Sequence, residues 1–72
     1  MARFIYTKHA KQRMSLRLIS ESMVEETVLS PERTGVGDYG RPLAYRNYPA
    51  GTLKVVHVSE TDSHVIISTI WE

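Results

Sequence analysis

Cysteine is missing from the chain altogether. Neither a disulfide framework nor a thiolate metal site can therefore support the fold. At 72 residues stability must come from one modest core, because a domain this small buries only about 60% of the surface its unfolded form exposes. Long apolar runs are missing too. The triplet Phe4, Ile5 and Tyr6 is followed at once by Lys8 and Lys11, which is no signal peptide, and the longest apolar stretch elsewhere is far too short to span a bilayer. The expectation is an intracellular, cytoplasmic protein without a membrane partner. There is no charge block, repeat or low-complexity tract, and 42% hydrophobic with 24% charged residues is the composition of a folded domain.

Several chemistries are excluded in the same way. The three histidines have no zinc-type spacing. Gly35, Gly37 and Gly40 precede a strand-like segment, so they are not a phosphate loop entering a helix. No paired-carboxylate constellation and no serine nucleophile motif occurs. Neither a metal nor a cofactor is expected.

What is present is a charge pattern. Arg3, Lys8, Lys11, Arg13 and Arg17 fall within residues 1–19 with no acid, whereas Glu21, Glu25, Glu26 and Glu32 follow within residues 20–32 with no base. A basic element followed by an acidic one can create a local positive field that attracts phosphate even though the net charge is only +1. The same pattern also suits two neighbouring helices that pair with each other.

Local signals divide the chain into helices first and strands later. Residues 3–6 suit a brief strand or an extended lead-in. Thr7 is an N-cap candidate for a helix over about 7–18, in which Ala10, Met14 and Leu18 form one apolar stripe. On a helical wheel Arg13 lies about 40° and Arg17 about 80° from His9, so the three flank that stripe. Ser20, or the pair Ser22 and Glu25, caps a second helix that runs to about residue 30, with Met23, Val24, Thr27 and Val28 as its apolar face and Pro31 ending it. Residues 35–42 suit a loop, with a short strand around Thr34 to Val36. Strands are expected at 43–48, 53–58 and 65–71, with a turn at 49–51 and a polar loop at 59–64. The last strand has almost no polar alternation, which suggests burial on both faces. The fold class is α+β, with two N-terminal helices packed on a three- to four-stranded antiparallel sheet.

His9, Arg13 and Arg17 on successive turns can present one proton-transfer group and two permanent cations to a single phosphate ligand. Metal-independent phosphodiester cleavage uses that combination: an imidazole moves the proton of a ribose 2′-hydroxyl or leaving oxygen, and guanidinium groups hold the phosphate. The competing structural possibility bonds His9 to a backbone carbonyl and pairs both arginines with acids of the second helix. His57 shares a strand face with Leu53 and Val55, and suits either a structural or a catalytic role. Tyr45 and Asn47 share one face of their strand, Arg46 and Tyr48 the other, and either pair suits RNA through stacking and a phosphate contact. Lys8, Lys11, Arg46 and Lys54 are the candidate RNA-binding cations. His64, beside Asp62, suits a solvated turn, and Trp71 a core or dimer anchor.

The stretch "HAKQRMSLRLISESMVEETVLSPE", residues 9–32, resembles the opening of the domain of unknown function 4258 family. That family typically places an arginine and a methionine at the fourth and fifth positions after a histidine, and a second arginine three residues beyond. His9, Arg13, Met14 and Arg17 occupy those positions here. "LKVVHV" and "VIISTIW" are similar to its last two strands. The resemblance implies a compact α+β domain similar to RelE/ParE-like, metal-independent ribonuclease toxins. The expected function is thus a small RNA-directed protein of that type, with His9, Arg13, Arg17, Tyr45 and His57 as its catalytic set. The alternative is a non-enzymatic module that binds a protein or nucleic acid. RNA, an antitoxin or other protein partner, and a second copy of the chain are the expected partners.

Overall fold

The computed structural model describes residues 3–72. Both helices begin at caps visible in the sequence. The Thr7 hydroxyl accepts a bond from the Ala10 amide at the start of α1 (Lys8–Arg17), and Ser20 accepts from Met23 at the start of α2 (Glu21–Leu29). Glu21 lies in the first turn of α2, where the helix dipole favours its charge.

The end of α1 departs from the expected stripe. Leu18 adopts a left-handed conformation with φ 55°, and the amides of Leu18 and Ile19 both donate to the Met14 carbonyl. This ending satisfies a carbonyl that the helix leaves free. It also turns Leu18 into solvent at 88% exposure and brings Ile19 into the core at 5%. The buried series is therefore Ala10, Met14 and Ile19. The periodicity fails at Leu18 because the helix stops one residue before it.

The sheet has five strands in the order β1-β5-β4-β3-β2, namely β1 (Arg3–Tyr6), β2 (Arg33–Val36), β3 (Pro42–Tyr48), β4 (Gly51–Glu60) and β5 (Ser63–Trp71). It is mixed, since β1 runs parallel to β5 while the other neighbours are antiparallel. The expected three- to four-stranded antiparallel sheet is corrected on both counts. The expected loop at 59–64 contracts to a turn at Thr61 and Asp62, because β4 and β5 stay paired down to Glu60 and Ser63. Ile67 is an extra residue in β5, between the pairs His57–Ile66 and Val56–Ser68. Such a bulge bends the strand locally.

Both helices lie on one face of the sheet, α1 over β5 and α2 over β3 and β4. Ala10, Met14, Ile19 and Val24 pack there on Leu53, Val55 and Ile66, flanked by Phe4, Tyr6, Tyr48 and Trp71. Each fully buried aliphatic side chain contributes about 1.5–3 kcal/mol. Trp71 is a core anchor: its indole N–H donates to the Arg17 carbonyl at 2.9 Å, and its ring meets Tyr48 edge-on at 6.4 Å. Among the described residues the other face carries no helix. Ile5 and Ile70 remain 43% and 38% exposed on it, so β5 is interior to the sheet yet covered on one side only.

Candidate nucleic-acid interface

The flank of α1 holds the first expected site. β1 pairs with β5 only as far as Ile66, so the outer edge of β5 beyond that point has no neighbouring strand. Arg17 fills part of the gap by donating to the Thr69 carbonyl at 2.7 Å, and the Thr7 hydroxyl donates to the Ile67 carbonyl at 3.3 Å. One predicted phosphate ligand is thus engaged by the sheet edge. Lys8 and His9 are exposed and Arg13 is half-buried. Neither His9 nor Arg13 has a hydrogen-bonding or ion-pair partner among the described residues.

The acids of α2 have other partners than the two arginines. Lys11 pairs with Glu21 and also lies 5.3 Å from the centre of the Tyr6 ring. The Tyr6 hydroxyl donates to Glu25 at 3.0 Å. Burial first, and then this bond, raise the Tyr6 phenol well above its ordinary range. Glu26 accepts from the Tyr48 hydroxyl at 2.6 Å and pairs with Arg46, whose guanidinium also donates to the Ser30 carbonyl. Arg46 therefore ties α2 to β3.

His57 is separated from Tyr45 by the thickness of the sheet. His57 shares the helix-side face with Leu53 and Val55, whereas Tyr45 lies opposite Lys54 on the open face. His57 is buried at 8% exposure. Its Nδ1 lies 3.4 Å from the Ser59 hydroxyl, which in turn lies 3.1 Å from Nδ1 of His64. Burial, and secondly the nearby His64, hold the His57 imidazole below its ordinary value. His64 is a β5 residue packed on Phe4 at 5.1 Å between ring centres, not a solvated turn residue. Ser59 was legible only as turn polarity, because its role depends on two strands meeting.

The open face gathers a different set. Arg33, Tyr45 and Lys54 form one row across three adjacent strands, each directly opposite the next. The Arg33 guanidinium sits 4.2 Å over the Tyr45 ring. Strands lie about 4.8 Å apart, so Arg33 and Lys54 straddle the ring over roughly 10 Å. Lys54 lies 4.0 Å from Glu72. In the next row Leu43 pairs with Val56 and Val56 with Ser68, giving a floor that is apolar at Leu43 and Val56 and ends on the Ser68 hydroxyl.

A loop with a single 3-10 turn at Asp38–Gly40 borders that floor. A Cβ on Gly37 would lie 3.0 Å from the Leu43 side chain, so a larger residue there would have to push Leu43 aside by a few tenths of an ångström for the loop to approach this closely. Tyr39 in the turn has φ 61° and is 93% exposed, with the Arg41 guanidinium 5.5 Å from its ring centre. Between loop and floor lies a groove of about 330 Å³. A smaller one of about 220 Å³ runs beside Arg33, Tyr45 and Asn47. Tyr45, expected in the catalytic set, and Lys54, expected to bind RNA, were candidates from their residue types. Arg33, Asp38, Tyr39 and Arg41 were not, because they sit in stretches that read as turn or connection.

The molecule is a small α+β domain whose sheet has one helix-covered face and one open face carrying paired aromatic and guanidinium groups. The chain matches the model of the Domain of unknown function (DUF4258) over residues 6–72 and belongs to that family. No curated protein and no solved structure matches it. Among the described residues no helix is long and apolar enough to cross a membrane, and no group of three or more His, Asp or Glu side chains is placed to hold a metal ion.

Proposed function

We propose that this chain is a small RNA-directed protein that lays a single strand across the open face of its sheet. The observation that carries this is the row Arg33, Tyr45, Lys54, in which an aromatic ring already bears a guanidinium and is flanked by a second cation. Ring faces stack on unpaired bases whatever their identity, and the cations neutralise the backbone. Lys8, Lys11 and Arg46 lie on the helix side and take no part in this contact.

The test is fluorescence anisotropy with a labelled single-stranded RNA of mixed sequence. Tyr45→Ala should weaken binding about tenfold, the loss of one base stack. Equal affinity of the wild type and of a double variant Arg33→Gln, Tyr45→Ala, shown to be folded, would remove the open face from consideration.

Metal-independent cleavage is a second reading, supported by the imidazoles of His57 and His64 meeting at the Ser59 hydroxyl. A neutral imidazole and a more accessible one are the two groups needed to take and return a proton at a ribose. The resemblance to RelE/ParE-like ribonuclease toxins belongs with this reading. In it His9 and Arg13 supply the phosphate contact from the α1 flank, and Arg17 holds the sheet edge beside them. Structured RNA incubated with protein in EDTA should be cut by the wild type and spared by His57→Gln, His64→Gln and Arg13→Ala. Intact RNA in every lane leaves binding alone.

A further inference from the structure

The groove between the 3-10 turn and the sheet has the chemistry of a base pocket, and we propose that it takes one unpaired guanine of the bound strand. The inference rests on the RNA-binding reading above and adds a base preference to it. Leu43, Val56 and Ile67 form the apolar floor, while Asp38, Arg41 and Lys54 supply one carboxylate and two cations at the rim. A volume of about 330 Å³ is at the small end of ligand sites, the range for one nucleotide and not for an extended peptide.

The charge arrangement favours guanine over the other bases. Its Watson–Crick edge carries two adjacent donors, N1–H and the N2 amino group, and an ionised carboxylate accepts from both. Adenine and cytosine each place a ring-nitrogen acceptor beside their amino group, so one carboxylate oxygen would face a lone pair. Uracil offers one N–H between two carbonyls. Asp38 therefore selects by repulsion as well as by attraction. Arg41 and Lys54 compensate the flanking phosphates and hold the local charge favourable for an anionic strand.

Tyr39 is an independent observation that points the same way. A left-handed conformation costs a non-glycine residue about 1–2 kcal/mol, and here that cost holds an aromatic ring out in solvent beside the groove. In the free protein the ring has the Arg41 guanidinium 5.5 Å from its centre, and the turn is closed by the Gly40 and Arg41 amides donating to the Gly37 and Asp38 carbonyls. A base entering the groove would meet the aliphatic floor on one side and the ring at its mouth.

The experiment compares labelled UUGUUU, UUAUUU, UUCUUU and UUUUUU by anisotropy at low salt. The guanine oligomer should bind about tenfold more tightly than the other three, the size of one bidentate base contact. Asp38→Asn should erase this preference without weakening binding to UUUUUU, since it removes a negative charge from the path of an anionic strand. Lys54→Gln should weaken all four alike and keep their order. If all four bind equally, or if Asp38→Asn retains the guanine preference, the base pocket is overturned while RNA binding stands. If none binds, both fall together.

Discussion

Two buried polar residues show how single side chains set the margin of stability. Thr69 is fully buried, and its hydroxyl is the one buried side-chain polar atom without a partner among the described residues. Valine has nearly the same shape and no hydroxyl to desolvate. Thr69→Val should therefore stabilise the protein by about 1 kcal/mol, read as a rise in Tm of about 4–8 °C for a domain of this size. A lower Tm would mean that the hydroxyl finds a partner in solution.

His57 has the opposite consequence, because burial favours its neutral form. The unfolded chain, with its imidazole at the ordinary value of 6.5, takes up the proton before the native chain does. The stability from this site is complete above about pH 6.5 and is lost as pH falls through that value towards the depressed native one. Thermal melts should therefore drop in Tm between pH 7.5 and 5.5, and the drop should be smaller in His57→Gln. An unchanged slope in the variant would assign the effect to other groups.

At the scale of elements, α1 both supplies a packing stripe and finishes an incomplete sheet edge. Arg17 serves the second role, since its guanidinium meets the Thr69 carbonyl where β1 no longer reaches β5. Arg17→Met keeps the stem and removes the donor, so it should cost about 1–2 kcal/mol, measured as a lower urea midpoint at constant m-value. A loss no larger than that of Arg13→Met would deny the bond any structural weight.

Local sequence made the helices legible, because caps and periodicity are signals within a few residues of each other. Thr7, Ser20 and the Val24–Thr27 face follow from such signals. The sheet was legible only where hairpins join neighbours. β1 has four residues and pairs with a strand about sixty positions later, so nothing near it announces the parallel partner or the sheet's mixed character. The candidate site was obscured for the same reason. Tyr45 and Lys54 read as site candidates, but their row with Arg33 exists only through register, and His57 and His64 meet only when the β4–β5 hairpin stays paired to its tip. Leu18 misled because its residue type fits the stripe, while the helix ending is a backbone event.

At the scale of the molecule, the net charge of +1 conceals two differently arranged faces. On the helix side the cations are largely engaged: Lys11 with Glu21, Arg46 with Glu26 and the Ser30 carbonyl, Arg17 with the sheet edge. On the open face Arg33 and Arg41 sit beside aromatic rings, and Lys54 lies a loose 4.0 Å from Glu72. Cations already paired contribute little to a polyanion, because they must first give up a partner. The salt dependence of RNA binding therefore reports which face is used. Each single-strand phosphate neutralised adds about −0.7 to the slope of log K against log salt, so three open-face cations predict about −2. Arg33→Gln should reduce its magnitude to about 1.4, whereas Lys8→Gln and Lys11→Gln should leave it unchanged. The reverse outcome, a slope flattened by the two lysine variants and indifferent to Arg33, would move the interface to the flank of α1, where His9 and Arg13 have no partner among the described residues.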